Sequence, residues 1–245
     1  MAHSPLEQFK VKPLVKLDVA GFDISFTNSS LMLLLVFGFV TFFFTFGLRK
    51  TSLIPNRFQA TIELAYDFIA NMLKENVGDA GKKYFPFVFS IFLLVLGCNL
   101  VGMLPYSFTV TSHIIATFAL ALFAFIIVNI IGFARHGLHY FHLFVPQGVP
   151  AYMLPLITPI ELISYLIRPV SLGIRLAAAM TAGHIVMKIF AGFIISLASI
   201  TLVLGVVPFA FAIALVGLEL LVGFIQAFIF SILICIYLND AVNMH

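Results

Sequence analysis

The stretch SLGIRLAAAMTAGHIVMKIF, residues 171–190, is apolar over most of its length, yet Arg175 stands inside it with no carboxylate in the same stretch. A charge held at bilayer depth costs from about 3 to more than 10 kcal/mol, depending on how it is solvated. The rest of the chain argues that bilayer depth is where this arginine lies. The 245 residues are 62% hydrophobic and 9% charged, whereas a soluble domain carries about 25% charged residues. The fold class expected is therefore an all-α integral membrane protein, because backbone polar groups in lipid must be satisfied within the segment that carries them.

Working outward, the chain is expected to form a single polytopic membrane domain over 1–245. Residues 1–29 are polar and mixed in charge, without the basic, acid-poor bias of a targeting peptide, and form an N-terminal segment. The first span is expected over 30–48, ending at Arg49 and Lys50. The segment 56–76 follows. Its Phe58, Ile62, Tyr66, Ile69 and Leu73 repeat at helical spacing, whereas Glu63, Asp67 and Lys74 lie off that stripe. This is an amphipathic helix suited to the membrane surface. Residues 85–134 hold two further spans as a helical hairpin, the first stopping at Pro105 and the second before Arg135. Arg49, Lys50 and Arg57 follow the first span, PYSFTVTS (105–112) is uncharged, and Arg135 follows the third span. That alternation places the N-terminus outside and the basic loops inside.

Residues 151–240 differ from everything before them. The first half of this region carries Glu161, Arg168, Arg175, His184 and Lys188 in an apolar body; from 191 to 239 the only charged residue is Glu219. Each half is long enough for a helix of roughly 40 residues, about 60 Å at 1.5 Å per residue, against a hydrocarbon thickness of about 30 Å. Two long tilted helices are expected; Pro169 and Pro208 are the points where breaks into shorter spans could fall.

Glu161, Arg168 and Arg175 are spaced by seven, so on a helix they share a stripe that drifts about 20° per step. Ser164 and Ser171 lie near it, and His184 falls on the opposite face. In the last segment Glu219, Gln226 and Tyr237 share a face. Two polar stripes through apolar helices can line water-filled ion paths. Plainer roles stand beside this one: an Arg168–Glu161 ion pair, Gln226 as interhelical glue, Lys188 snorkelling to an interface. His136, His139 and His142 suit a solvated loop. Cys98 and Cys235 are isolated in apolar runs and suit small buried hydrophobes. No metal site and no cofactor are expected, and the small basic excess sets orientation without suggesting nucleic acid.

These residues carry a resemblance. RPVSLGIRLAAAMTAGHI with ELLVGFIQAFIFSILICIYL resembles the a subunit of the F-type ATP synthase, and FPFVFSIFLLVLGCNLVGMLPYSFTVTSH, with Asn99 and Pro105 in place, is similar to that family's earlier signature. SPLEQF near the start resembles mitochondrial and alphaproteobacterial members. The resemblance implies a proton-translocating stator subunit, itself non-catalytic, with the ATP-forming chemistry on other chains. It implies that Arg175 faces a ring of c subunits bearing carboxylates and separates two half-channels, one open to each side. A nearby cation favours the ionised carboxylate, so such an arginine has its partner on the ring. Asn99, His184 and Glu219 are implied for the outer half-channel, Glu161 and Tyr237 for the inner exit with Asp240 beside them, and Gln226 for a place opposite Arg175. His184 and Glu219 are expected to meet across their two helices. Partners implied are the c ring, the peripheral stalk and other F0 subunits, and membrane lipid. The location implied is the mitochondrial inner membrane, with the plasma membrane of an alphaproteobacterium as alternative. The family often has asparagine four residues after the arginine; Ala179 stands there instead.

Three other classes fit less well. A secondary transporter would show internal repeats, and none is evident. A bis-histidine haem or quinone subunit needs paired histidines within spans, but only His184 lies deep and His113 sits at a span edge. An intramembrane protease would carry HExxH, or an acid or Ser–His pair in a recognisable motif, and the sequence shows neither.

Overall fold

A computed structural model describes residues 11, 13–16, 18, 19, 22, 23, 25–47, 49, 55–104, 107–137, 139, 140, 153–199 and 201–243. Among these, six α-helices carry almost all of the regular structure: α1 (Asn28–Gly47), α2 (Arg57–Val77), α3 (Phe85–Gly102), α4 (Ile114–His136), α5 (Leu154–Ala198) and α6 (Leu202–Val242). All but α2 are long and apolar enough to cross a membrane. The N-terminal segment adds two short antiparallel pairings that composition did not suggest, β1 (Pro13–Val15) with β4 (Phe26–Thr27) and β2 (Asp18–Val19) with β3 (Phe22–Asp23). SPLEQF, Pro105 and His142 lie outside the described residues.

The spans begin and end close to where hydropathy places them. Thr27 caps α1, its Oγ1 accepting from the Ser30 amide at 3.4 Å. Asn56 caps α2 in extended backbone, with Oδ1 2.7 Å from the Arg57 amide. The last hundred residues resolve the choice left open by their length. Helix α5 runs unbroken through Pro159 and Pro169, and α6 through Pro208. Prolines are tolerated inside membrane helices where side chains and neighbouring helices satisfy the freed carbonyls. At 45 and 41 residues, both exceed the roughly 20 residues that cross a bilayer upright.

The amphipathic helix is rotated from its sequence-based stripe. Helix α2 buries Gln59, Ile62, Ile69, Met72, Leu73 and Val77, whereas Phe58 and Tyr66 stay half or more exposed. Phe68, also exposed, reaches Phe92 and Phe228, with ring centroids 6.0 and 5.5 Å away. Tyr66 instead lays its ring against Phe85 at 4.6 Å.

Two compact units make up the chain. One comprises residues 1–43, 93–117 and 176–227; the other comprises 44–92, 118–175 and 228–245. In the first, Val36 is the buried residue of α1, while its Phe37, Phe39 and Phe42 remain exposed. Such lipid-ready surface is the normal exterior of a membrane helix. In the second, the buried ring of Tyr140 lies against Gly132 of α4 so closely that a Cβ there would collide with the ring atom Cε2. Tyr140 cannot swing aside freely, since its hydroxyl lies 2.8 Å from that of Tyr165. Gly132→Ala is therefore expected to destabilise the protein by about 1–3 kcal/mol through overpacking. Thermal aggregation in detergent measures this, and Tyr140→Leu in the same chain should recover most of the loss.

Candidate functional site

Among the described residues, each unit holds a polar cluster between its helices. In the first unit the cluster is built from α3, the connection after it, α5 and α6. Asn99, fully buried near the end of α3, donates from Nδ2 to the Gly223 carbonyl of α6 at 2.9 Å. Thr181 of α5 donates to the Ser112 carbonyl at 3.0 Å, which ties the connection to that helix. His184 and Glu219, 7% and 3% exposed, face each other across α5 and α6 with Nδ1 3.3 Å from Oε1. The pair expected to meet does so. Its alignment falls short of a hydrogen bond, and both carboxylate oxygens of Glu219 are buried without a hydrogen-bond partner among the described residues, as are Asn99 Oδ1, Thr111 Oγ1 and His113 Nε2. Buried polar atoms in that state call for water or a partner chain. His113 stacks on Phe108 at 4.8 Å, and burial holds its imidazole below the ordinary histidine range.

Small residues on α5 shape the space beside this pair. Ala179, Ala182 and Gly183 face Leu215, Leu218 and Glu219 of α6 around a pocket of about 280 Å³, apolar apart from the carboxylate. Alanine at 179 thus leaves room where a larger side chain would stand. Gly183 matters more. A Cβ there would lie 2.7 Å from Glu219 Oε1 and 3.0 Å from its Cδ. The glycine is what allows the carboxylate to lie flat against α5. Nothing in the hydropathy pattern distinguishes it from other helical glycines, so it escaped the sequence reading.

The second unit's cluster joins α4, α5 and α6. Tyr165 donates to Asn129 Oδ1 at 2.7 Å, and Tyr140 meets Tyr165 at 2.8 Å. Burial pushes the Tyr140 phenol up, so it stays a neutral donor. One helical turn further on, Arg168 donates to Asp240 Oδ2 at 2.8 Å. Its guanidinium lies over the rings of Tyr165 and Tyr237, 5.1 and 5.0 Å from their centroids. The ion pair of Arg168 is therefore with Asp240 of α6, and the Glu161 pairing offered by the seven-residue spacing is not formed. Spacing alone cannot see a partner 72 residues away. A planar guanidinium stacked on two rings also has little freedom to turn back along its own helix. Glu161 is half-buried and has no ion-pair partner among the described residues.

Arg175 is exposed on α5, with exposed Ser171, Ile174 and Ala178 around it. No carboxylate among the described residues forms an ion pair with it. Gln226 is half-buried on α6 in the first unit, whereas Arg175 belongs to the second. His136 contacts the Val242 carbonyl through Nε2 at 3.3 Å, and His139 is exposed. Lys188 is partly buried on α5, and both cysteines are buried and free.

The chain is similar to known proteins along nearly its whole length. Residues 30–239 match the family described as ATP synthase A chain. The ATP synthase subunit a of Rhodospirillum rubrum is 55% identical over 243 residues, which cover 99% of this chain and 100% of the relative. That of Paramagnetospirillum magneticum is 52% identical over 245 residues, 99% of each chain. That of Pelagibacter ubique is 54% identical over 248 residues, covering 100% of both. All three are alphaproteobacterial.

Gly183→Ala is expected to displace the Glu219 carboxylate from His184 and to cost about 1–3 kcal/mol, because the added methyl has no slack to move into at that edge. A structure of the variant should show the Nδ1–Oε1 separation opened past 4 Å, whereas Gly192→Ala, with nothing within reach of its added Cβ, should leave it unchanged.

Proposed function

This chain belongs to the ATP synthase A chain family, and on that premise we propose that it is the static half of a rotary proton motor, moving protons to and from a ring of c subunits. The bacterial source of its relatives supports the plasma membrane as its site, in place of the mitochondrial inner membrane. The peripheral stalk, other F0 subunits and lipid complete its surroundings. The chain forms no covalent bond in this scheme; ATP is made on other subunits.

The observation that carries the proposal is Arg175. An exposed guanidinium on an apolar helix, without a carboxylate partner among the described residues, leaves a charge that needs one from elsewhere. Ring carboxylates supply it in turn. The cation favours each carboxylate in its ionised form, so the carboxylate gives up its proton as it approaches. A fixed positive charge also repels a proton trying to pass directly from one path to the other.

Protons reach the ring through the first cluster, where Asn99, His184 and Glu219 line the outer path. Imidazole can gain and lose a proton near neutral pH, and a carboxylate beside it gives a second site for the same proton. Protons leave past Glu161 and Tyr237, with Asp240 beside them. The Arg168–Asp240 bridge, 2.8 Å long, ties α5 to α6 beside that exit.

In vesicles holding the whole complex, Arg175→Ala is expected to lower proton-driven ATP synthesis by on the order of 100-fold or more, in line with removing a preorganised electrostatic group, and to open a passive proton leak. Arg175→Lys should also fail substantially, because a compact ammonium lacks the planar donor set. Glu219→Gln should slow synthesis without the leak, since the charge between the paths is intact. Coupled synthesis at the normal rate in Arg175→Ala would remove the arginine from the mechanism.

A further inference from the structure

Thr109 has no part in the scheme above, yet it touches the ring of His184 directly. Its Oγ1 lies 2.8 Å from His184 Nε2 and 3.0 Å from the Gly102 carbonyl oxygen, in a site where Thr109 is 6% exposed. A hydroxyl has one proton to give, and a carbonyl can only accept. If the threonine proton pointed at the ring, Oγ1 and the Gly102 carbonyl oxygen would face each other lone pair to lone pair at 3.0 Å. The proton therefore lies on the line to Gly102. The contact with His184 must then be made by a proton on the ring, with Nε2–H donating to Oγ1.

That assignment settles the other side of the imidazole. A neutral ring protonated at Nε2 carries its lone pair at Nδ1, and Nδ1 is the atom 3.3 Å from Glu219 Oε1. We propose that Thr109 is a positioning residue that holds His184 in its Nε2-protonated tautomer, so that Nδ1 presents its lone pair to take a proton from Glu219. The inference rests on the proton path proposed above and adds its direction through the ring. In the step itself the O–H bond at Oε1 breaks and an N–H bond forms at Nδ1. The neutral pair becomes carboxylate and imidazolium, the net charge is unchanged, and the Nε2 proton takes no part. Without the threonine hydroxyl the neutral ring is free to carry its proton at Nδ1. Glu219 then faces a filled donor and has nowhere to pass its own proton.

The test separates the hydroxyl from the volume around it. The Thr109 methyl packs where a Cβ on Gly102 would come within 2.7 Å, so Thr109→Val keeps that packing and removes only the hydroxyl, whereas Thr109→Ser keeps the hydroxyl. The assembled complex, labelled with 15N-histidine and held at a pH where the ring is neutral, reports the tautomer by NMR, with the His184 signals identified by their loss in His184→Gln. Wild type and Thr109→Ser are expected to show a protonated Nε2 and a bare Nδ1. Thr109→Val should populate the Nδ1-protonated form and lower proton-driven synthesis about tenfold, the effect of one lost orienting hydrogen bond, while Thr109→Ser stays within about twofold. If Thr109→Val does not assemble, Thr109→Ala takes the same measurements. A wild-type ring protonated at Nδ1, or a hydroxyl-free variant with unchanged tautomer or unchanged rate, overturns the proposal. Normal synthesis in His184→Gln would instead overturn the proton path itself, while the tautomer of the wild-type ring still decides what Thr109 holds.

Discussion

Hydrocarbon offers no hydrogen bonds, and everything in this chain is arranged around that. Backbone groups satisfy themselves within helices, which is why five apolar segments of very different length take the same secondary structure. Side chains obey the same constraint less completely. Many of the polar groups that enter the apolar helices lie in two clusters, one in each compact unit, where most are held by hydrogen bonds or ion pairs, whereas Glu161 and Arg175 stand outside both. The few left over are buried oxygens and nitrogens of Asn99, Thr111, His113 and Glu219. They concentrate in the unit proposed to carry protons inward, where water or a passing proton is part of the site.

The two clusters solve the burial of charge differently. In the second unit, Arg168 is fully committed: a carboxylate at 2.8 Å and two aromatic faces leave its cation neutralised and its plane fixed. In the first unit, His184 and Glu219 are close without being aligned for a hydrogen bond. In the proposed scheme Thr109 anchors the imidazole at Nε2 while Nδ1 faces Glu219. Rigid anchoring on one side and a loose contact on the other is a combination suited to transfer.

Glycine and alanine do the quiet part of this arrangement. Gly183 lets a buried carboxylate lie against a helix backbone, and Ala179 and Ala182 keep a pocket open beside it. Gly132 lets Tyr140 seal the far end of α4. In each place the missing side chain decides where a neighbouring polar group can be, without offering any chemistry of its own.

Hydropathy along the chain was enough to determine the membrane class, the positions of the first three spans to within a few residues, and the unusual length of the last two helices, because these depend on local composition and on the single requirement that the backbone be satisfied in lipid. The nine-residue separation also placed Arg175 and His184 on opposite faces of one helix, and the structure has the first exposed and the second buried. What required tertiary structure is every partner at long range. Arg168 joins Asp240 across 72 residues, His184 takes Thr109 from 75 residues before it, and Asn99 reaches a carbonyl 124 residues later. Periodicity reports which face of a helix a residue occupies; it carries no information about which helix that face meets. The same holds for Gly183, whose role exists only because a carboxylate from another helix comes to rest upon it.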